Sequence, residues 1–154
     1  MSDVLERMRE LEGTELGVSD WVHITQEMVD AHAETTGDRD WIHNDPARAA
    51  AEGPFGGPIA QGSLLLSNLV RFQEQVLPTL GEPALAYALN YGFDRVRFVR
   101  PVVVGSRLRA RIRLREVRER PDGAVVVLEV RLELDDDREG PAAVAQWLGL
   151  LRTA

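Results

Sequence analysis

The 154-residue sequence has no cysteine and only three histidines. The first absence excludes disulfides, thiolate metal sites and a cysteine nucleophile. The second, with the three histidines scattered, gives no metal-ligating cluster, so no metal is expected. No apolar run approaches the roughly 18 residues of a membrane span, and the opening MSDVLERMRELEG lacks the apolar centre of a signal peptide. The expectation is a cytoplasmic protein with no membrane partner. Net positive charge is missing too. A formal charge of -7 argues against nucleic acid, because a phosphate-binding surface normally needs an excess of cations. A small anionic ligand held by a local group of arginines stays open.

The composition is 44% hydrophobic and 28% charged, that of an ordinary folded chain. With no internal repeat or low-complexity linker, residues 1–154 are expected to form one domain. Val4, Leu5, Met8 and Leu11 recur at helical spacing, predicting an amphipathic arm that Gly13 ends. SDWVHIT reads as a short strand, and Thr25 caps a helix running to about Thr35. Gly37 sits where a left-handed helix stop belongs, so Asp38 emerges into a loop. Asp45 and Pro46 open a further helix that Gly53 closes.

After the Gly- and Pro-rich stretch GPFGGPIAQG comes SLLLSNLVRFQEQVL. Its apolar residues cover most of the helix circumference, which predicts one buried helix ending near Leu77, before Pro78. The polar exception is a stripe of Ser63, Ser67 and Arg71 at i, i+4 and i+8. The second half changes period. RLRARIRLREV alternates strictly, with Leu108, Ala110, Ile112 and Leu114 on one face and five arginines on the other. RPDG is a turn, and AVVVLEVRLEL returns with Leu128, Val130, Leu132 and Leu134 inward. Glu129 and Glu133 then oppose two of the arginines in either plausible register, so the arginine run reads as cross-strand pairing rather than a nucleic-acid surface. AAVAQWLGLL, apolar on both faces, is a central strand, and ALAYALNYGFDRVRFVRPVVVG supplies one or two more. Helices first and at least four antiparallel strands after them make an α+β fold, its curved sheet wrapped around a central helix.

The segment TTGDRDWIHND, residues 35–45, concentrates the reactive groups. Asp38 and His43 could share one water molecule, one accepting its proton while the other holds or donates. Asp-x4-His is by itself a weak pattern. It equally describes a solvated loop in which Asp38 caps and His43 packs on Trp41. Asp40 reads as solvated and Asp45 as a cap. His23 and His32 have no nearby partner set and read as structural or surface residues. Gly62 stands at the entry of the buried helix. There, unpaired first-turn N–H groups could receive a ligand carbonyl, or the glycine could simply permit close packing on the sheet.

Taken together, SDWVHITQEMVDAHAETTGDRDWIHNDPARAAAEGPFGGPIAQGSLLLSNL and NYGFDRVRFVRPVVVGSRLR resemble the MaoC-like dehydratases, or (R)-specific enoyl-CoA hydratases, and most closely their small nodulation-protein N-like branch. The resemblance runs from about Leu11 to Leu151 and implies a hot-dog fold. It also implies interconversion of trans-2-enoyl and (R)-3-hydroxyacyl thioesters without a metal or redox cofactor, with coenzyme A or acyl-carrier protein as the handle and a homodimer as the assembly. It makes Asp38 and His43 the catalytic pair and Gly62 the donor to the thioester carbonyl. Ser63 and Ser67 are candidate pocket residues, with Asn90 and Tyr91 as further substrate contacts. Arg95, Arg97 and Arg100 would either meet ligand phosphates or form salt bridges. One departure concerns Gln61, which replaces the histidine of the family's usual AHG. It can still bind substrate by hydrogen bonds but cannot carry a proton at neutral pH. Two alternatives stay open: a hot-dog acyl-thioester hydrolase, and a non-catalytic acyl-thioester-binding module.

Overall fold

Strict alternation in the arginine-rich stretch requires a strand with two unlike faces, and the computed structural model has one there. In chain order the elements are α1 (Asp3–Glu10), β1 (Glu15–Val18), β2 (Val22–His23), α2 (Gln26–Thr36), α3 (Trp41–Asn44), α4 (Pro46–Glu52), α5 (Gly62–Ser67), α6 (Leu69–Val76), β3 (Leu85–Phe98), β4 (Arg107–Arg120), β5 (Gly123–Leu134) and β6 (Ala143–Thr153). The structure describes residues 3–77, 85–136 and 138–153. Pro78, Ala84 at the head of the upstream strand tract, and Asp137 in the second turn region lie outside them.

The strands join in one sheet in the order β1-β4-β5-β6-β3, with β2 also on β4. Every pairing is antiparallel. β6 lies inside the sheet, as a strand apolar on both faces must. Leu108, Ala110, Ile112 and Leu114 are fully buried on the inner face of β4. They share one core cluster with Leu64, Leu65, Leu69 and Phe72, so the central helix packs against the sheet's inner face.

That central helix differs from expectation in two ways. It is broken into α5 and α6 at Asn68, whose buried side-chain amide donates to the Leu64 carbonyl at 2.9 Å. The Asn68 backbone N–H donates to the same carbonyl at 3.2 Å, so side chain and main chain share one acceptor at the break. It is also buried along one side only. Leu64, Leu65, Leu69, Phe72 and Leu77 are inside, but Val70 is 50% exposed, along with Ser63, Ser67 and Arg71. Two further differences lie near the N-terminus. The expected SDWVHIT strand shrinks to β2, and β1, which no alternation announced, pairs with β4 through a register shift between Glu15 and Gly17. In the N-terminal arm Val4, Leu5 and Met8 are buried, whereas Leu11 is exposed.

The outer face of the β4–β5 hairpin carries the charge pairs. The register sets Arg109 opposite Glu133, Arg113 opposite Glu129, and Arg111 opposite Arg131. The like-charged pair is offset because Arg111 donates to Glu133 at 2.9 Å and to Glu15 at 3.0 Å. Glu133 also accepts from Arg109 at 2.9 Å. Burial pushes the Glu133 carboxyl up, but the hydrogen bonds and charges of Arg111 and Arg109 outweigh it, and the group titrates below its ordinary value. A carboxyl of this kind adds stability above its unfolded pKa and loses it as pH falls through the folded one. Glu133→Gln should therefore lower the melting temperature at pH 7, with the gap to wild type closing below about pH 4. A gap undiminished at pH 3 in thermal unfolding would assign the effect to packing instead of charge.

Candidate active site

Three local caps build the Asp38–His43 segment. Thr25 Oγ1 accepts from the Met28 N–H at 3.3 Å and starts α2. Gly37, at φ 79°, ends it in the left-handed conformation that glycine adopts without strain. Thr36 Oγ1 then accepts from the Asp38 N–H at 3.3 Å and donates to the His32 carbonyl at 2.7 Å. Asp40, expected to be solvated, instead caps a one-turn helix that sequence reading missed. Its Oδ1 accepts from the Ile42 N–H at 3.2 Å and opens α3, which carries His43. Asp45 caps α4 as expected, accepting from the Arg48 N–H at 3.0 Å, with Pro46 in the first turn. The Trp41 ring is covered by the Arg48 guanidinium at 4.4 Å.

The His43 ring has a defined orientation. Its Nδ1 lies 2.7 Å from the Ile59 carbonyl. A carbonyl can only accept, so Nδ1 carries the hydrogen, and in the neutral ring Nε2 is left as the acceptor. Ile59 is itself held: its N–H donates to the Ile42 carbonyl at 3.0 Å, and it bridges to Val103. Its neighbours are held in turn, as Ala60 N–H donates to Val102 and Val104 N–H to Pro58, each at 2.8 Å. The Gly/Pro-rich stretch is thus a strap that delivers the start of α5 to the side of His43.

Two further bonds tie that start to α2. The Gln61 side chain, 1% exposed, donates from Nε2 to the Val29 carbonyl at 3.1 Å, and its Oε1 has no hydrogen-bond partner. The Gln61 amide is therefore part of the α2–α5 packing. His32 Nε2 lies 2.8 Å from Ser63 Oγ, so the histidine expected to lack partners has one beside Gly62. Only the i, i+4, i+8 polar stripe hinted at this pair. Gln61 caps α5 without a side-chain hydrogen bond, leaving the first-turn N–H groups uncapped by any side chain. A Cβ at Gly62 would stand 2.7 Å from the Phe98 ring, so close packing is one real reason for glycine here.

These links tie His43 to the strap before α5 and tie Gln61 and Ser63 to α2, at whose C-terminal end Asp38 emerges. The Asp38 carboxylate is exposed and makes no hydrogen bond or ion pair among the described residues. Ser67 lies one turn beyond Ser63, to whose carbonyl it donates at 2.8 Å. Asn90 and Tyr91 are elsewhere. Phe98, on the same strand, meets Gly62, and eight residues of extended chain separate Asn90 from it by about 26 Å. Asn90 Oδ1 accepts from Trp147 Nε1 at 2.8 Å, and Tyr91 is 53% exposed under the Arg120 guanidinium. Arg100 is salt-bridged to Asp136 at 2.9 Å, whereas Arg95 and Arg97 have no carboxylate partner among the described residues.

A family model for the MaoC-like domain matches residues 8–135. The chain belongs to the MaoC-like dehydratase family. Nodulation protein N of Rhizobium leguminosarum bv. viciae is 40% identical over 153 residues, covering 99% of this chain and 91% of that one. The 3-hydroxyacyl-thioester dehydratase Z of Mycobacterium tuberculosis is 45% identical over 135 residues, 87% of this chain and 86% of that one. Among solved structures, the (R)-hydratase from A. caviae involved in PHA biosynthesis superposes with a TM-score of 0.66 at 25% identity, over 86% of this chain and 95% of that one. The antiparallel sheet with its central helix is the hot-dog fold of these MaoC-like proteins.

The Gly62–Phe98 contact makes a prediction whose sign reverses with background. Alanine is intrinsically the better helix residue by up to about 1 kcal/mol. In the wild type its methyl must displace the Phe98 ring, so Gly62→Ala should lower the melting temperature. In a Phe98→Ala background the same change should raise it. Thermal unfolding of the four proteins checks this, and equal shifts in both backgrounds would remove Phe98 as the reason for glycine.

Proposed function

We propose that this protein is an (R)-specific enoyl-thioester hydratase, interconverting trans-2-enoyl-CoA and (R)-3-hydroxyacyl-CoA on a single hot-dog domain. The observation that carries the reading is the His43 Nδ1 hydrogen bond to Ile59, three residues before Gly62, which leaves Nε2 as the ring's acceptor while the first turn of α5 is uncapped. In the hydration direction a water held between Asp38 and His43 forms the bond from its oxygen to C3 while His43 Nε2 takes one of its protons. The C2–C3 π pair moves toward the thioester carbonyl, and the Gly62 N–H stabilises the oxyanion that results. C2 then receives a proton from the Asp38–His43 pair, and dehydration runs the same steps backward. Gln61 holds α5 to α2 at this site, and Ser63 and Ser67 flank the acyl chain. Two relatives support the reaction class: a 3-hydroxyacyl-thioester dehydratase and an (R)-hydratase.

Crotonyl-CoA tests the chemistry. Enoyl absorbance should fall without release of free thiol, and Asp38→Asn and His43→Gln should each lower kcat by about 10²–10⁴-fold. Thiol release would make the protein a thioesterase, and no change with any chain length would make it a binding module. Either outcome, or full activity in a variant, sinks the mechanism.

The assembly we propose is a homodimer joined through β3, with Asn90 and Tyr91 near the partner's acyl site. β3 ends the sheet, and Tyr87, Leu89 and Tyr91 on it are each about half exposed. A long apolar edge strand of this kind is a template for pairing with another chain. No helix among the described residues is long and apolar enough to cross a membrane, and we place the enzyme in the cytoplasm, in fatty acid metabolism. Sedimentation equilibrium should show a dimer for the wild type and a shift toward monomer for Leu89→Lys. A monomeric wild type would overturn the assembly.

A further inference from the structure

Along the exposed side of the central helix an open groove runs between α2 and α5–α6. Its polar lining comes from His32 and Thr35 on one wall and Ser67, Asn68, Arg71 and Glu74 on the other. Met28 and Ala31 on α2, with Leu64 and Val70 on the central helix, supply apolar surface. One end adjoins the site already described, because His32 is bonded to Ser63, the residue after Gly62.

The hydroxyl hydrogens in this groove are already committed. Ser67 Oγ donates to the Ser63 carbonyl at 2.8 Å and Thr35 Oγ1 to the Ala31 carbonyl at 3.0 Å. Each hydroxyl therefore offers only lone pairs to whatever enters. Arg71 offers only donors, and it makes no ion pair among the described residues. Glu74 lies three residues further on the same wall and balances its charge.

Three kinds of acyl chain can be compared against this lining. A plain alkyl chain could lie on Met28, Ala31, Leu64 and Val70 but would return no hydrogen bond to Thr35, Ser67 or Arg71. A chain ending in a carboxylate would meet Glu74 together with Arg71. A chain with an uncharged hydroxyl satisfies both walls, since its O–H donates to Ser67 or Thr35 and its lone pairs accept from Arg71 or His32.

We propose that this groove receives the acyl chain and selects chains bearing a hydroxyl beyond C3, an inference that rests on Asp38, His43 and Gly62 being the reacting end. Ser67 is five residues along the helix from Gly62, a rise of about 7.5 Å. Allowing for the zigzag of carbon–carbon bonds of about 1.5 Å, that places the hydroxyl near C6 of an extended chain.

The test uses saturated thioesters, which cannot be hydrated, so it does not depend on the reaction. Hexanoyl-CoA and 6-hydroxyhexanoyl-CoA are titrated calorimetrically into the full-length protein. The wild type should bind the hydroxylated thioester about three- to tenfold more tightly, as one added hydrogen bond implies. Thr35→Val/Ser67→Ala should erase that ratio, and Ser67→Ala alone should reduce it if the double variant fails to fold. Equal affinities in the wild type, no binding of either thioester, or an unchanged ratio in the folded variants would overturn the proposal. Lack of crotonyl-CoA hydration with the ratio intact would sink the hydratase reading and leave the groove's preference standing. Hydration without any preference would do the reverse.

Discussion

The peptide of Ile59 is held on both sides: its carbonyl accepts from the His43 ring and its N–H donates to the Ile42 carbonyl. The candidate site hangs on this arrangement. It sets the tautomer and direction of His43, and it docks the Gly/Pro-rich strap against α3. The strap is pinned on its other side through Ala60 to Val102, so α5 begins at a fixed place. A stretch with four glycines among residues 53–62 has little conformational preference of its own. Its geometry is therefore imposed by these partners, and a change in Ile59's surroundings would reach His43 and Gly62 together.

Behind the site, the core supplies rigidity. Phe72 and Leu69 on α6 are essentially inaccessible, as are Leu108, Ile112 and Leu114 on β4. Deleting a buried side chain of this size typically costs about 2–5 kcal/mol. The outer face of the sheet is stabilised differently, by arginines that share carboxylates across strands. Glu133 serves Arg109 and Arg111, which relieves the opposition of Arg111 and Arg131. The candidate residues Gln61, Gly62 and Ser63 sit at the N-terminal end of the central helix, where a packed interior meets exposed surface.

Much of this was legible in the residues. Thr25, Gly37, Asp45 and Pro46 punctuate α2 and α4 where local rules put them, and alternation in β4 placed its inner and outer faces. What escaped was either too short or too dependent on distant partners. α3 is a single turn, too brief to show a period, and its cap Asp40 looks like any loop aspartate. β1 has four residues and a register shift, and it is held by pairing with β4 rather than by a pattern of its own. At the break, the Asn68 side chain reaches a carbonyl four residues back, a contact that the apolar periodicity around it does not show.

By itself the sequence determined most element types, the inward face of β4 and the caps around the candidate residues, because caps, turns and periodicity act over a few residues. Only the tertiary structure decided how those residues meet. His32 finds Ser63 across 31 residues, Gln61 finds Val29 across 32, and His43 finds Ile59 across 16. Each contact joins groups whose local sequences are equally compatible with solvent, and packing the helices onto one sheet is what closes the distance between them.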